Sequence, residues 1–256
     1  MLTKRHGAIL TLLQARGALS PGVLATELGV SAETVRRDVR VLVEAGAAVR
    51  AHGAVGLAGQ IGEAPFERRM RDNAGAKRAI ARAMADRIAD GAALMLDTGT
   101  TTSFLARELL GHRRLTVVTN SSDIARTLAT VNGNRVFMAG GELRGDSGAA
   151  LGASALAFIG GFAVQHAVIS AGAVDEAGVM DFDLQEAEFA RAVLGCGEHA
   201  WVVTDATKFA RRGLVRVAGW GAVGTLVTDA PPPGPVAEAL AQAGVSVVLA
   251  PQDDRQ

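Results

Sequence analysis

The chain has 256 residues, of which 49% are hydrophobic and 20% charged, so its composition is that of a globular protein with one large or two modest domains. It contains no apolar run long enough to cross a bilayer and no small-residue cleavage site near its start, so we expect a cytoplasmic protein that does not contact membranes. The single cysteine, Cys196, excludes an internal disulfide framework and a cysteine-based zinc site, and we expect neither a metal nor a cofactor.

Charge is distributed unevenly along the chain, although the two signs balance overall. Lys plus Arg and Asp plus Glu number 26 each, but residues 1–60 hold seven basic side chains against four acidic ones. The sign of this asymmetry is the one expected of a nucleic-acid-binding head on a neutral or acidic body.

Three short helical patterns open the chain. The first covers residues 2–15, and the second begins with a Ser20 cap followed by Pro21 and stops at Gly29. The third is capped by Ser31, so only Gly29 and Val30 separate it from the second helix. That tight connection is typical of a helix-turn-helix.

The polar side of the third helix carries residues that suit contact with DNA. They are short and polar in the first turn and basic beyond it: Ser31, Glu33, Thr34, Arg36, Arg37 and Arg40. Arginine can fork onto guanine or phosphate, and threonine can meet a thymine methyl group or a phosphate. The pattern alone also fits a small helical bundle whose arginines are only solvated. After Gly46, the segment AAVRAHGAVG predicts two short strands, a wing that would bring Arg50 and His52 to the DNA backbone or minor groove.

The segment VSAETVRRDVRVLVEAGAAVRAHGAV resembles the DNA-binding head of the DeoR family of bacterial repressors. The family pattern is VS-x-x-T-[IV]-R-R-D-L followed by R-x-H-G-G, and the matching helix positions are Ser31, Thr34, Arg36, Arg37 and Asp38. Val39 stands where leucine is usual, and Ala54 replaces the second glycine of the wing. The resemblance implies a small winged helix-turn-helix domain that binds double-stranded operator DNA.

A helix at residues 66–89, with an interruption near Asn73, is predicted to join this head to the rest of the chain. Apolar Ile80, Met84 and Ile88 recur every four residues, which requires a partner surface. That surface can belong to the chain's own body or to a second copy. We place the domain boundaries at 1–60 for the head, 61–91 for the linker helix and 92–256 for the body.

From residue 92 onward, apolar runs alternate with helical patterns. Strands are predicted at residues 93–97, 115–119, 135–139, 167–171, 200–205, 224–228 and 245–250. Helices are predicted at residues 103–110, 124–131, 153–159, 184–194 and 236–243. Near-continuous apolar strands separated by helices predict a mainly parallel, doubly wound α/β sheet that is covered on both faces.

Polar and glycine-rich segments follow five of these strands. Ligands bind at the carboxyl ends of strands in such sheets, so we expect the segments to form one site. Gly99 lets the backbone approach closely, and the threonines after it, with the N–H groups of the next helix, could surround a phosphate. Alternatively, the serines and threonines only cap helices. The candidate residues are Asp97, Gly99, Thr100, Thr101, Thr102, Asn120, Ser121, Gly140, Gly141, Arg144, Asp175, Glu186 and Lys208.

Lys208 is one of only three lysines, against 23 arginines. A composition that so strongly prefers arginine suggests that this lysine is kept for its compact point charge, although chance can also retain it.

The motifs LDTGTTT, TVVTNS, AGGELR and VTDATKF resemble the sensor body of the same DeoR family, and the resemblance spans roughly residues 4–230. That sensor is related to sugar-phosphate isomerases and to glucosamine-6-phosphate deaminase. The resemblance implies a repressor of a sugar or polyol catabolic operon that a phosphorylated sugar or polyol releases from its operator. We also expect a homo-oligomer, either a dimer or a tetramer, because one head reads only a short half-site.

The alternative is a sugar-phosphate isomerase or deaminase-like enzyme with an appended DNA-binding head. Isomerisation needs a carboxylate that moves a proton and a second group that polarises the carbonyl. Candidate carboxylates are Asp175, Glu176, Asp181, Asp183 and Glu186. Because GAVDEAG only partly resembles the catalytic loop of the isomerases, we expect a regulator without catalytic residues.

Overall fold

The structure is a computed structural model that describes residues 3–51, 53–57, 63–209 and 211–251. The predicted DNA contact of His52 therefore lies outside the described residues. No helix in these described ranges is long and apolar enough to span a membrane.

The head begins with three helices packed around one core. They are α1 (Lys4–Arg16), α2 (Pro21–Leu28) and α3 (Ala32–Glu44). The side chains of Ser20 and Ser31 accept hydrogen bonds from backbone N–H groups three residues later, so the predicted caps of α2 and α3 are confirmed. Gly29 ends α2 in the left-handed conformation, with φ 63°, and this allows the tight turn into α3.

Two antiparallel strands complete the head. They are β1 (Ala48–Ala51) and β2 (Ala54–Leu57), and a bridge between Leu19 and Val55 adds a short third element. Val55 is buried against the helices, which fixes the strands to the helical core. The predicted winged helix-turn-helix is therefore present.

Two helices follow where the sequence predicts a single interrupted one. They are α4 (Phe66–Arg71) and α5 (Ala74–Ala85). The break falls at Asn73, whose φ of 54° lies in the left-handed region, and α5 ends earlier than the predicted residue 89. Ile80 and Met84 are fully buried against the body, so at least part of the predicted partner surface belongs to the chain itself.

The body alternates strands and helices. In chain order these are β3 (Ala93–Leu96), α6 (Thr100–Glu108), β4 (Thr116–Thr119), α7 (Ser122–Leu128), β5 (Arg135–Met138), α8 (Ala153–Ile159), β6 (Val164–Ser170), β7 (Ala173–Asp175), β8 (Gly178–Asp181), α9 (Leu184–Leu194), β9 (Gly197–Val203), β10 (Val215–Ala218), β11 (Thr225–Thr228), α10 (Gly234–Gln242) and β12 (Ser246–Leu249).

Seven of these strands form one parallel sheet in the order β12-β11-β9-β6-β3-β4-β5. Leu94 and Leu96 of β3 point into the core under α5, α6 and α7, whereas Met95 points into the core under α8, α9 and α10. Both faces are covered, as the near-continuous apolar strands require. The predicted doubly wound α/β fold is confirmed.

A second, three-stranded antiparallel sheet of β7, β8 and β10 was not predicted. Its strands have three or four residues, too few to show a period-two pattern in the sequence. Gly178 is required where two of them meet, because a Cβ atom there would lie 2.1 Å from the backbone oxygen of Ala218.

The strand order determines where a crevice opens in the large sheet. From β3 the chain builds outward through β4 and β5, then returns to place β6 on the other side of β3. The carboxyl ends of β3 and β6 therefore flank the point at which the winding direction reverses, where ligands bind in sheets of this kind. The residues that follow them, beginning with Asp97 and Ser170, are the first to consider as a site.

Candidate functional site

Asp97 joins the ends of β3 and β6. Its Oδ2 accepts hydrogen bonds from the backbone N–H of Ser170 at 3.0 Å and from the Ser170 hydroxyl at 3.3 Å. Burial raises the pKa of Asp97 to about 7, although the hydrogen bonds from Ser170 work in the opposite direction. The other oxygen, Oδ1, is buried without a hydrogen-bond partner among the described residues. A ligand hydroxyl could satisfy it.

Gly99 brings the next loop against this pair. A Cβ atom at Gly99 would lie 1.9 Å from the Ser170 hydroxyl oxygen, so a larger residue requires the Ser170 side chain or the ends of β3 and β6 to shift. The glycine leads directly into α6, whose first-turn N–H groups have no partner within the helix. These donors and the positive end of the helix favour an anion.

The three threonines that begin α6 are all buried. The Thr102 hydroxyl donates to the backbone carbonyls of Asp97 and Gly99, each at 3.0 Å, so it stabilises the loop. Thr100 and Thr101 contribute the first two N–H groups of the helix.

Asn120 and Ser121, which follow β4, have mainly structural contacts. Asn120 accepts a hydrogen bond from the Thr98 hydroxyl at 2.9 Å and donates to the carbonyl of Ala150 at 3.0 Å. Ser121 caps α7 by accepting from the backbone of Ile124 at 3.3 Å. For Ser121 the simple capping interpretation accounts for the observed contact.

A buried cluster of charges closes this region on the side of α4. The carboxylate of Glu63 contacts the guanidinium of Arg69 and the ammonium of Lys208, and Arg211 lies 3.8 Å from it. Lys208 is one of the site residues predicted from the sequence, whereas Glu63 and Arg69 are not. Both fall in the segment interpreted as a linker, and only the position of α4 against the strand ends brings them into the site.

Arg144 and several carboxylates form a second group of charged side chains in this region. Arg144 Nη1 lies 3.0 Å from Asp183 Oδ2 and 3.5 Å from Glu186 Oε1. Burial raises the pKa of Glu186 and of Asp181, and the negative charges around them add to this effect. Carboxyl groups with raised pKa values hold a proton more readily than exposed ones, and a protonated carboxyl group can both donate to and accept from a sugar hydroxyl.

Two cavities meet at this cluster. The inner one has a volume of about 20 Å³ and is lined by Asp97, Asn120 and Ser170, among others. The outer one, of about 440 Å³, lies between head and body and is lined by Arg50 and Arg144, among others. Within the described ranges, four residues line both cavities: Glu63, Arg69, Asp181 and Glu186.

Not every predicted residue reaches these cavities. Lys208 lines neither cavity; it lines a third cleft with Lys77 and Asp205, and its ammonium contacts Glu63, which lines the inner cavity. Gly140 and Gly141 are exposed and line none of the described cavities. Asp175 lies in the β7–β8 turn, where it accepts from the backbone of Ala177 at 2.9 Å and pairs with Arg216 at 3.3 Å. Among the described residues, no group of three or more His, Cys, Asp or Glu side chains is arranged to hold a metal ion.

The head presents a separate basic surface on α3. Arg36, Arg37 and Arg40 are exposed, as is Glu33, which lies 3.2 Å from Arg36. The Ser31 hydroxyl caps the helix and lies 2.8 Å from that of Thr34. The predicted polar face of α3 is therefore open to a partner.

Asp38 of the same motif has a different role. It is buried, and its carboxylate pairs with Arg5 and with His6 of α1, the latter at 3.2 Å. The hydrogen bond from Arg5 lowers the pKa of Asp38, although burial opposes this. Asp38 therefore fastens α1 to α3 and orients the exposed face.

Comparison with known proteins matches both parts of the chain. A family model described as the DeoR-like helix-turn-helix domain matches residues 5–60, and one described as the DeoR C terminal sensor domain matches residues 72–230. The HTH-type transcriptional repressor CsqR of Escherichia coli (strain K12) is 35% identical over 98% of this chain and 96% of that protein. The glycerol-3-phosphate regulon repressor of the same organism is 33% identical over 96% of this chain and 98% of that protein.

Two solved structures align with this chain at low identity. The alignment with ribose 5 phosphate isomerase A from Neisseria gonorrhoeae covers 53% of this chain and 53% of the isomerase chain, with 16% identity and a TM-score of 0.39. The alignment with the translation initiation factor eIF-2B of Pyrococcus horikoshii OT3 covers 87% of this chain and 86% of the factor's chain, with 16% identity and a TM-score of 0.44.

The two relatives named are transcriptional repressors, and each aligns with this chain over nearly its whole length. This confirms the choice of a regulator over an enzyme. The chain belongs to the DeoR family of helix-turn-helix transcriptional regulators.

Proposed function

We propose that this regulator represses an operon for the catabolism of a sugar or polyol and that a phosphorylated sugar or polyol releases it from its operator. The observation that carries the proposal is the site at the ends of β3 and β6. There the first turn of α6 offers N–H donors and Asp97 offers an oxygen without a partner among the described residues. Arg69 lines the same inner cavity as Asp97, and Glu63 connects Arg69 to Lys208.

The chemistry of the site fits both halves of such a ligand. N–H groups at a helix N-terminus and the charges of Arg69 and Lys208 suit a phosphate. The carboxyl groups of Asp97, Asp181 and Glu186 suit hydroxyl groups. The outer cavity of about 440 Å³ has the size of a small-molecule site.

On the DNA side, we propose that Glu33, Thr34, Arg36, Arg37 and Arg40 contact the operator from α3. Ser31 would contact it from the start of the helix, and Arg50 and His52 from the wing. We also propose that two or four copies bind together in the cytoplasm, because one α3 helix spans only a short half-site. The relatives support a ligand of this class, since one of them is named for the glycerol-3-phosphate regulon.

A thermal-shift screen tests the effector directly. The panel should contain glycerol 3-phosphate, several hexose and pentose phosphates, and each unphosphorylated parent. A true effector at one hundred times its Kd adds about 2.7 kcal/mol to the free energy of unfolding, and its parent should add far less. The same compound should weaken operator binding measured by fluorescence anisotropy. If every parent stabilises the protein as much as its phosphate, the site does not bind a phosphate.

A further inference from the structure

Glu63 is a largely buried acidic residue that lies between the head and the body in the sequence and pairs with cations of α4 and of the body. Its side chain is only 11% exposed, and it contacts Arg69 and Lys208, with Arg211 at 3.8 Å. Burial would raise the pKa of Glu63, but the charges of Arg69 and Lys208 hold it below its ordinary value. The carboxylate is therefore ionised and matched by buried cations.

Its place is the boundary between the two cavities. Glu63 and Arg69 line both of them, together with the carboxylates of Asp181 and Glu186. The inner cavity of about 20 Å³ has room for about one water molecule. The inner cavity is therefore too small for a phosphosugar, and of the two cavities Asp97 lines only this one. A phosphosugar that reaches Asp97 from the outer cavity must displace at least one of the side chains that line both cavities, and Glu63 is one of them.

We infer that Glu63 is an internal substitute for the effector's phosphate and that the phosphate displaces it from Arg69 and Lys208. The inference rests on the proposed function for the existence of a phosphorylated ligand. A carboxylate and a phosphate use the same guanidinium and ammonium donors, and the phosphate brings more charge and more acceptor oxygens. Two anions cannot share one desolvated cluster without strong repulsion, so binding of one expels the other.

The same displacement connects the body to the head. Glu63 follows β2, which ends at Leu57, and precedes α4, which begins at Phe66. The outer cavity is also lined by Val43, Val49 and Arg50 of the head. Moving Glu63 therefore changes the lining of a cleft that residues of the head also line. A ligand that prefers the displaced arrangement thereby shifts the head away from the arrangement that binds the operator.

The variant Glu63→Gln tests this with inorganic phosphate as the probe. The change keeps the shape of the side chain but removes the competing charge, so we expect the full-length protein to bind phosphate about tenfold tighter or more by calorimetry. Glu67→Gln is the matched control, because it makes the same chemical change at an exposed residue of α4. Equal phosphate affinity in Glu63→Gln, Glu67→Gln and the unaltered protein would overturn the inference.

A measurement on the unaltered protein covers the case in which Glu63→Gln does not fold. Saturating phosphate should speed amide hydrogen exchange in residues 63 and 64, because this part of the chain loses the contacts of the Glu63 side chain. Slower or unchanged exchange in residues 63 and 64 would show that phosphate binds with Glu63 in place and would overturn the inference. The proposed function is judged separately by the phosphosugar panel. That panel can fail even when phosphate displaces Glu63, and it can succeed when phosphate does not.

Discussion

The guanidinium of Arg50 donates a hydrogen bond of 3.0 Å from Nη2 to the backbone carbonyl of Arg36. A residue of β1 is thereby fastened to α3, so the wing and the helix predicted to read DNA keep a defined spacing. Arg50 also lines the outer cavity, where it shares a wall with Arg144 and Glu186. One side chain therefore contacts the helix predicted to read DNA and faces the cleft predicted to bind the effector.

Arg37→Ala should weaken operator binding and leave the melting temperature of the body nearly unchanged. The side chain is exposed on α3, so its loss removes a DNA contact without opening a core. We expect a loss of about 1–3 kcal/mol if Arg37 reads a base, or a salt slope reduced by about 0.9 if it contacts a phosphate. Anisotropy titrations at several salt concentrations measure both quantities. Arg16→Ala, which removes the same charge at the end of α1, is the control. Unaltered operator binding by the Arg36→Ala/Arg37→Ala double variant would refute the assignment.

The protein should sediment as a dimer or a larger assembly at micromolar concentration, both free and on operator DNA. The reason is geometric, since two heads related by a two-fold axis are needed to cover an inverted repeat. Analytical ultracentrifugation measures this directly. A monomer in both states would contradict the proposed assembly.

Gly99→Ala should destabilise the body and abolish effector binding. The new methyl group would lie 1.9 Å from the Ser170 hydroxyl oxygen and 2.7 Å from its Cβ, so the Ser170 side chain or the ends of β3 and β6 must shift. Overpacking of this kind costs about 1–3 kcal/mol, which urea denaturation can resolve. Gly75→Ala provides the matched control, because nothing lies within 4 Å of the added atom. The double variant Gly99→Ala/Ser170→Gly lacks the side chain that the new methyl group meets, so part of the lost stability should return.

Asp97→Asn should change the way stability depends on pH. The pKa of Asp97 rises from 3.8 to about 7 on folding, so the folded protein holds an extra proton between these values. This carboxyl group's contribution to stability is therefore complete below pH 4 and is lost as pH rises through 7. Asp97→Asn should remove that part of the decline, on the order of a few kcal/mol, when urea denaturation is compared between pH 5 and 8. Asp86→Asn removes an exposed carboxylate and serves as the control. An identical pH profile for the unaltered protein and Asp97→Asn would show that folding does not raise the pKa of Asp97.

Arg69→Met should be more damaging alone than in combination with Glu63→Gln. Removing the arginine leaves Glu63 buried beside Asp181 and Glu186 with less positive charge, and breaking a buried ion pair costs about 3–5 kcal/mol. The double variant removes both charges, so much of that loss should be recovered. Urea denaturation of the two single variants and the double variant gives the coupling energy. Additive losses would mean that the two side chains do not interact in solution.

Periodicity and turn chemistry predicted most of the fold. The helices at Ala153–Ile159 and Leu184–Leu194 have the predicted bounds, and seven predicted strands form the large sheet. These elements have strong apolar patterns that local sequence alone reveals. The strands of the small sheet do not, because their residues are ordered by pairing with each other, including Val215 with Asp181 across a long sequence separation.

The candidate site also contains both residues that the sequence predicts and residues that it does not. Asp97 and Gly99 were predictable because they follow a buried strand and precede a helix. Glu63 and Arg69 were not predictable, because the pattern of their segment is that of a polar linker. The segment reaches the strand ends because the helix is interrupted at Asn73, whose side chain contacts Asp205 at 3.2 Å. Charged residues on a linker show no pattern that distinguishes a buried pair from a solvated one.

The shortness of α4 has a practical consequence for handling the protein. A helix of six residues has little stability of its own, so α4 depends on outside contacts such as the Lys77 ammonium, which donates to the carbonyls of Arg69 and Asp72. Three of its residues, Arg68, Arg69 and Arg71, are cleavage points for trypsin. Brief tryptic digestion should therefore separate the head from an intact body before the large sheet is degraded.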